Sequence, residues 1–114
     1  MDPSRIAIKT SRGIEFLRME DILCCVAKGR YTKILTTEGK EFLLTRVLKE
    51  IEVNLPDDDF YRTHKSFLIN LNHIVHYQNN HETPITLLND VKIQLSKRRK
   101  QEFQRMIRER IQTI

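Results

Sequence analysis

The residues of this chain whose types suit chemistry are mostly basic, and they lie in two places. The run KRRK occupies 97–100, and Arg62, His64 and Lys65 are threaded through the apolar segment YRTHKSFLINLNHI, 61–74. Guanidinium groups and the backbone N–H groups at a helix start both bind phosphate well. Because a helix N-terminus is the positive end of the helix dipole, cations placed there do not stabilise the helix itself. These residues therefore predict an anionic partner, with nucleic acid first.

The net charge of +5 is unevenly distributed along the chain. Residues 91–114 contain eight cations and two carboxylates, a net charge of +6, so the first 90 residues sum to −1. A basic block at one end favours nucleic acid as the partner and an anionic membrane surface second. A solvated surface helix would carry the same charges, and composition alone leaves that alternative open.

The sequence contains no catalytic motif, since GxGxxG, P-loop and GxSxG patterns are all missing. His64 and Ser66 could act as base and nucleophile by type, but no acidic or oxyanion motif accompanies them. His73 and His76 fall in a segment that alternates like a strand, where residues three apart lie on opposite faces. We expect no enzyme activity, no cofactor and no metal, and a solvated turn at 57–59.

Length and composition indicate one globular domain spanning 1–114, with 39% apolar and 31% charged residues. No apolar run approaches the roughly 20 residues that cross a bilayer, and the N-terminus lacks the apolar centre of a signal peptide. We expect a cytoplasmic protein with no membrane partner. Cys24 and Cys25 are neighbours, which disfavours a disulfide between them, and we expect one of them inside the core and the other outside.

Short apolar segments separated by turn signals predict a mainly β, antiparallel fold. The predicted strands are 6–9 and 14–18, joined as a hairpin through Gly13, then 22–28 in a central position, 31–37, 40–45, 74–78, 85–88 and 91–95. A short helix is predicted over 45–55, capped by Thr45 and stopped by Pro56. A C-terminal helix is predicted from about Ser96, with Phe103, Met106, Ile107, Ile111 and Ile114 on its apolar face.

Four segments in this order resemble the LytTR family of DNA-binding domains, the output module of many bacterial response regulators. They are DILCCVAKGRYTKILTTEGKEFLLT (21–45), VLKEIEVNLPDDDFYR (47–62), RTHKSFLINLNHI (62–74) and VKIQLSKRRKQEF (91–103). The match runs from about Ile6 to Phe103, and its specificity lies in the order and spacing of the motifs. Cys24-Cys25 departs from the acidic or alanine residues that are frequent there, and Lys65 replaces a frequent arginine. Lysine lacks the bidentate fork of arginine, so base preference stays open.

The resemblance implies an elongated, sandwich-like stack of antiparallel β-sheets with one short helix and a C-terminal helix. In such domains loops, rather than a recognition helix, enter successive major grooves. Carried over to this chain, the base-reaching positions are Arg30, Tyr31, Thr32, Lys33, Lys65 and Arg98, and the phosphate-contacting positions are Arg62, Ser66, Lys97, Arg99 and Lys100. His64 and Asn70 are expected to support the loop by bonding backbone groups in a segment without regular strand pairing.

The resemblance further implies sequence-specific regulation of transcription in a bacterial two-component system. The expected partners are double-stranded DNA with repeated sites, a receiver domain and sensor kinase in a longer regulator of which this chain is a fragment, and a second copy on DNA. One alternative is a general nucleic-acid-binding or RNA-binding β domain, against which the scarcity of aromatic residues weighs, with eight in the chain. The other is a protein-interaction or membrane-surface module that uses the basic C-terminal helix.

Overall fold

Antiparallel β-strands are the main secondary structure in residues 4–114, the part of the chain that the computed structural model describes. The strands are β1 (Arg5–Thr10), β2 (Gly13–Arg18), β3 (Ile22–Lys28), β4 (Tyr31–Thr36), β5 (Glu41–Leu44), β6 (Phe60–His64), β7 (Phe67–Asn70), β8 (Ile74–Tyr77), β9 (Ile85–Leu87) and β10 (Val91–Ile93). Helix α1 (Leu48–Glu52) connects β5 to β6, and helix α2 (Lys100–Arg110) follows β10. The predicted mainly β fold with two helices is confirmed.

The strands form three layers within the described residues. The five-stranded sheet has the order β5-β4-β3-β7-β6, with a two-stranded β1-β2 hairpin and a three-stranded sheet β10-β9-β8 beside it. The hairpin and α1 pack on one face of the five-stranded sheet, and the three-stranded sheet and α2 pack on the other. The extents of 43 × 31 × 24 Å show that the stack is elongated, as the resemblance implied.

Both faces of the central strand β3 are covered, because β3 lies between two hydrophobic cores. Cys25 belongs to the core shared with the hairpin, and Cys24 belongs to the core shared with the three-stranded sheet and α2. Both thiols are free and fully buried. The expectation that one cysteine would lie outside was wrong, since the strand alternates between two interiors rather than between core and solvent.

We expect neither thiol to react with a thiol reagent such as DTNB while the protein is folded. Burial raises the pKa of Cys24 to about 12, and burial together with the neighbouring Cys24 raises the pKa of Cys25 further. Because the thiolate is the reactive form, both groups stay unreactive at pH 8. A DTNB titration should show both thiols only after denaturant is added, and rapid reaction of either thiol in the native protein would contradict this burial.

The short helix is shorter than the sequence predicted. Val47 occupies the position before its first turn, and no side chain caps it, so the predicted cap at Thr45 was wrong. Leu48 and Ile51 are its buried residues, and both join the core beneath the hairpin. Five residues cannot form a stable helix alone, so this packing sustains α1.

The C-terminal helix begins in two steps and ends earlier than its apolar pattern. A 3-10 turn, Lys97–Arg99, follows Ser96, whose side chain makes no capping bond, and α2 continues from Lys100. Phe103 is fully buried, while Ile111 lies past the helix in an extended conformation and is 49% exposed. The assignment of Ile111 and Ile114 to the apolar face was therefore wrong, because the helix's packing ends near Ile107. Among the described residues, no helix combines the length and apolar character needed to cross a membrane.

Candidate nucleic-acid interface

Three turns that are distant in sequence meet at one end of the five-stranded sheet. The Ala27 amide at the end of β3 donates to the Ser66 carbonyl, 2.9 Å away, which joins the β3–β4 turn to the β6–β7 turn. The Ser96 amide donates to the Thr63 carbonyl at 2.9 Å, which holds the 97–99 turn beside β6. We call these three turns, with Lys100, the basic edge.

Four cations of the basic edge have no ionic partner within residues 4–114. Arg30, Lys65, Lys97 and Arg98 are exposed, and none of them forms an ion pair or side-chain hydrogen bond with another residue in the range 4–114. Cations that lie close together with no carboxylate between them repel one another, and a bound polyanion removes this repulsion. Their clustering favours phosphate groups as the ligand.

The β6–β7 turn is a regular hairpin with one bulge between Arg62 and His64. The expectation that this segment lacks regular pairing was wrong, because Phe60, Tyr61 and Arg62 pair with residues of β7 in antiparallel register. Within β7, Leu68 belongs to the core beneath the β1–β2 hairpin, and Phe67 and Ile69 belong to the core beneath α2, as strand alternation requires. Lys65 stands exposed at the tip of this hairpin.

The Arg62 side chain is used to hold this turn together. Its Nε donates to the His64 carbonyl at 3.1 Å and its Nη2 to the Lys65 carbonyl at 2.5 Å, while its Nη1 pairs with Glu52 at 2.9 Å. The side chain is only 19% exposed. The phosphate role that the resemblance implied for Arg62 does not fit this geometry, because its donors already have partners inside the protein.

His64 and Asn70 make the kind of backbone contacts predicted for them. The His64 Nδ1 accepts from the Ser66 amide at 3.1 Å, and its ring packs against Phe67. The buried Asn70 donates through Nδ2 to the Ile22 carbonyl at 3.0 Å and accepts the Asn72 amide through Oδ1. The His64 bond lies in the β6–β7 turn and supports the loop-support role proposed for His64, whereas the Asn70 bonds lie at the other end of β7, away from that turn.

The β3–β4 turn and the start of β4 expose fewer free side chains to solvent than the sequence suggested. Thr32 is fully buried, and its hydroxyl donates to the Arg46 carbonyl at 2.6 Å. The assignment of Thr32 as base-reaching was wrong, because strand alternation turns it inward between Tyr31 and Lys33. Tyr31 is 44% exposed, whereas Lys33 pairs with Glu41 at 3.0 Å.

A polar network that no sequence pattern revealed ties the start of α2 to β6. The Tyr61 hydroxyl donates to Glu102 Oε1 at 2.6 Å, although the two residues are 41 positions apart. Burial and the bond to Glu102 raise the pKa of Tyr61 to about 12, against the opposing effect of the Arg99 guanidinium on the same phenol. The phenol therefore stays protonated at neutral pH, and Arg99 is directed back towards Tyr61.

Lys100 completes the basic edge. Lys100 Nζ donates to Asn80 Oδ1 at 3.3 Å, which places the β8–β9 loop next to the first turn of α2.

His73 lies in a 3-10 turn before β8 and its Nε2 contacts the Glu20 carbonyl, while His76 lies in β8 itself. Within residues 4–114 no three His, Cys, Asp or Glu side chains are grouped so as to hold a metal ion.

A family model described as the LytTr DNA-binding domain matches residues 12–108 of this chain. The match covers most of the chain and includes all three turns of the basic edge. The chain belongs to the LytTR family of DNA-binding domains. It is therefore a DNA-binding domain, and the cations of its basic edge lie on a protein whose family binds DNA.

Two known proteins are similar to this LytTR domain. The transcriptional regulatory protein NatR of Bacillus subtilis (strain 168) is 38% identical over 73 residues, which is 64% of this chain and 31% of NatR. The chain thus spans about a third of that relative's length. A solved structure described as the LytTr DNA-binding domain of a methyl-accepting/DNA response regulator from Bacillus cereus superposes with a TM-score of 0.76. That structure is 27% identical, and the match covers 91% of this chain and 96% of the other.

Proposed function

We propose that this LytTR domain reads double-stranded DNA through its basic edge, as the DNA-binding part of a bacterial transcriptional regulator. The observation that carries the proposal is the meeting of three turns at one end of the sheet stack, with four exposed cations that have no partner within residues 4–114. Turns at the end of a rigid stack can enter a major groove, while cations beside them contact the phosphate backbone.

Each side chain of the basic edge receives a role from its contacts. The proposed base-reaching residues are Arg30, Tyr31, Lys65 and Arg98, with Lys33 able to join them only by leaving Glu41. The proposed phosphate-contacting residues are Ser66, Lys97, Arg99 and Lys100. Arg62 and His64 hold the β6–β7 turn, and Asn70 supports the opposite end of β7. Rigid support of this kind matters because a groove-reading side chain must be placed within a fraction of an ångström.

Binding to duplex DNA is expected to weaken steeply as salt is added. With Lys97, Arg99 and Lys100 each neutralising one phosphate, log K should fall against log salt with a slope of about −3. Fluorescence anisotropy of a labelled duplex, titrated at several salt concentrations, measures this slope. A flat salt response with retained affinity would contradict phosphate-led binding. Equal or tighter binding of a single strand would favour the general nucleic-acid-binding alternative.

We infer that the domain works within a longer regulator that carries a phosphorylatable receiver domain and answers to a sensor kinase. The match to this chain covers 31% of NatR, a transcriptional regulatory protein. The rest of NatR is long enough to contain a second domain. We also propose two copies on repeated sites about one helical turn, or 10–10.5 bp, apart, so that both face the same side of the duplex. Analytical ultracentrifugation with one-site and two-site duplexes would count the bound copies.

We propose that the domain has no enzymatic activity and needs no metal. The motivation is the missing catalytic motif and the lack of a metal-binding group in residues 4–114. Addition of a chelator to protein purified without a histidine tag should leave the melting temperature unchanged. A fall of several degrees would reveal a structural metal.

A further inference from the structure

Glu52, the last residue of α1, lies on no turn of the basic edge, yet it is bonded to a residue that holds one of them. Its Oε1 accepts from Arg62 Nη1 at 2.9 Å, so the bond joins the helix to β6. Arg62 Nε and Nη2 donate in turn to the carbonyls of His64 and Lys65. A single guanidinium therefore connects α1 to the β6–β7 turn.

The Glu52–Arg62 pair is shielded from water. The Arg62 side chain is 19% exposed and that of Glu52 is 40% exposed, whereas in the Arg46–Glu50 pair at the start of α1 the exposed fractions are 64% and 50%. Exposed ion pairs contribute little, because water competes with them and salt screens them. A guanidinium with little access to water relies on its partners in the protein, and those partners fix the direction of its donors.

Glu52 is the carboxylate that Arg62 uses, although other carboxylates line the same cleft between α1 and α2. Glu102 and Glu109 lie in that cleft as well, but each of them is bonded to or paired with a different side chain. Within residues 4–114, Arg62 forms its carboxylate bond with Glu52. Removal of Glu52 would leave Arg62 with two carbonyl acceptors and no bonded counter-charge.

We propose that Glu52 is a positioning residue for DNA reading, which acts through Arg62 on the turn that presents Lys65, and this proposal rests on the base-reading role proposed for Lys65. Phosphates that approach the basic edge attract a guanidinium. The Glu52 carboxylate offsets this attraction and keeps Arg62 on the carbonyls of His64 and Lys65. Without Glu52, Arg62 can turn to a phosphate, and the turn loses the bonds that set the direction of Lys65.

The first part of the test uses ¹⁵N NMR of the domain without DNA. The Arg62 Nε–H of the parent should exchange slowly with water, because it is bonded to the His64 carbonyl and little exposed. In Glu52→Ala it should exchange at least about tenfold faster, and the Lys65 and Ser66 amides should have lower order parameters. Circular dichroism should match the parent, since alanine suits a helix end. Parent-like exchange and order in Glu52→Ala would overturn the proposal.

The second part measures base preference by selection of binding sites from a random duplex library. Glu52→Ala should lose the preference at the same base position as Lys65→Ala, while it binds mixed-sequence duplex at least as tightly as the parent. The double variant Glu52→Ala/Lys65→Ala should lose no more preference than Lys65→Ala, because both residues act on one contact. Losses that add in the double variant would contradict an action of Glu52 through Lys65.

Glu109→Ala is the matched control. It removes a carboxylate from the same cleft, but Glu109 pairs with Arg105 and not with Arg62. We expect Glu109→Ala to keep the parent's base preference and the parent's exchange at Arg62. If Glu109→Ala and Glu52→Ala lose the same preference, the cause is the change in net charge, and the positioning role is wrong.

The positioning role and the reading role fail in different ways. A parent-like base preference in Lys65→Ala refutes the reading role of Lys65, whatever the NMR of Glu52→Ala shows. A lost preference in Lys65→Ala, together with a parent-like turn and preference in Glu52→Ala, refutes the positioning role alone.

Discussion

Phe103→Ala is expected to lower the free energy of unfolding by about 3–5 kcal/mol, the usual cost of removing a fully buried aromatic side chain. Phe103 is 0% exposed, and its ring centre lies 5.8 Å from that of Tyr61 and 5.3 Å from that of Tyr77. It is the buried residue of α2, so its loss would leave the helix poorly attached to the three-layer stack. Chemical denaturation followed by circular dichroism measures the change.

The DNA-binding affinity of Phe103→Ala should fall as well, under conditions where the variant is still folded. The 97–99 turn leads directly into α2, so a loosened helix would misplace the cations of that turn. Ile111→Ala is the matched control, because Ile111 shares the apolar spacing of Phe103 in the sequence but lies past the helix and is 49% exposed. Its stability should stay within about 0.5 kcal/mol of the parent. Equal losses for both variants would show that the helix continues and packs further than described.

Lys65→Ala and Arg98→Ala are expected to change which DNA sequences the domain prefers. Each side chain is exposed on a separate turn of the basic edge and has no partner among the residues described. Each can donate to guanine O6 and N7, and loss of such a contact costs about 1–3 kcal/mol at the preferred base. Selection of binding sites from a random duplex library, read by sequencing, shows whether the preference at that position is lost.

Lys100→Ala is the control that separates base reading from charge neutralisation. Lys100 lies on α2 beside the β8–β9 loop, where a phosphate is the expected ligand. Its loss should weaken binding to all sequences about equally and reduce the salt slope by about one. If Lys65→Ala and Arg98→Ala behave in the same way, both residues only neutralise phosphates. Base reading would then be assigned to Arg30 on the β3–β4 turn and Tyr31 at the start of β4.

Most strands could be predicted from the sequence because each is short and bounded by turn residues. Gly13, with a φ of +125°, and the pair Asn89-Asp90, with φ values of 64° and 59°, stand at turns where few residues fit. The hairpin in the segment 61–74 was missed, because polar residues at its bulge interrupt the alternation that marks a strand. Both helices were predicted too long. The apolar spacing of α2 continues past Ile107, where its packing ends, whereas Leu55 joins the core from the turn that follows α1.

The sequence by itself determined the β architecture, the position of the basic block and the family. These follow from local periodicity, charge and motif order, which can all be read from the sequence without knowledge of three-dimensional contacts. Only the tertiary structure decided which polar side chains face outward and which have partners. Arg62 meets Glu52, Lys33 meets Glu41, and Arg99 and Glu102 meet Tyr61, while Thr32 is enclosed. Each of these partners comes from another element of the fold, so no spacing rule along the chain could reveal it.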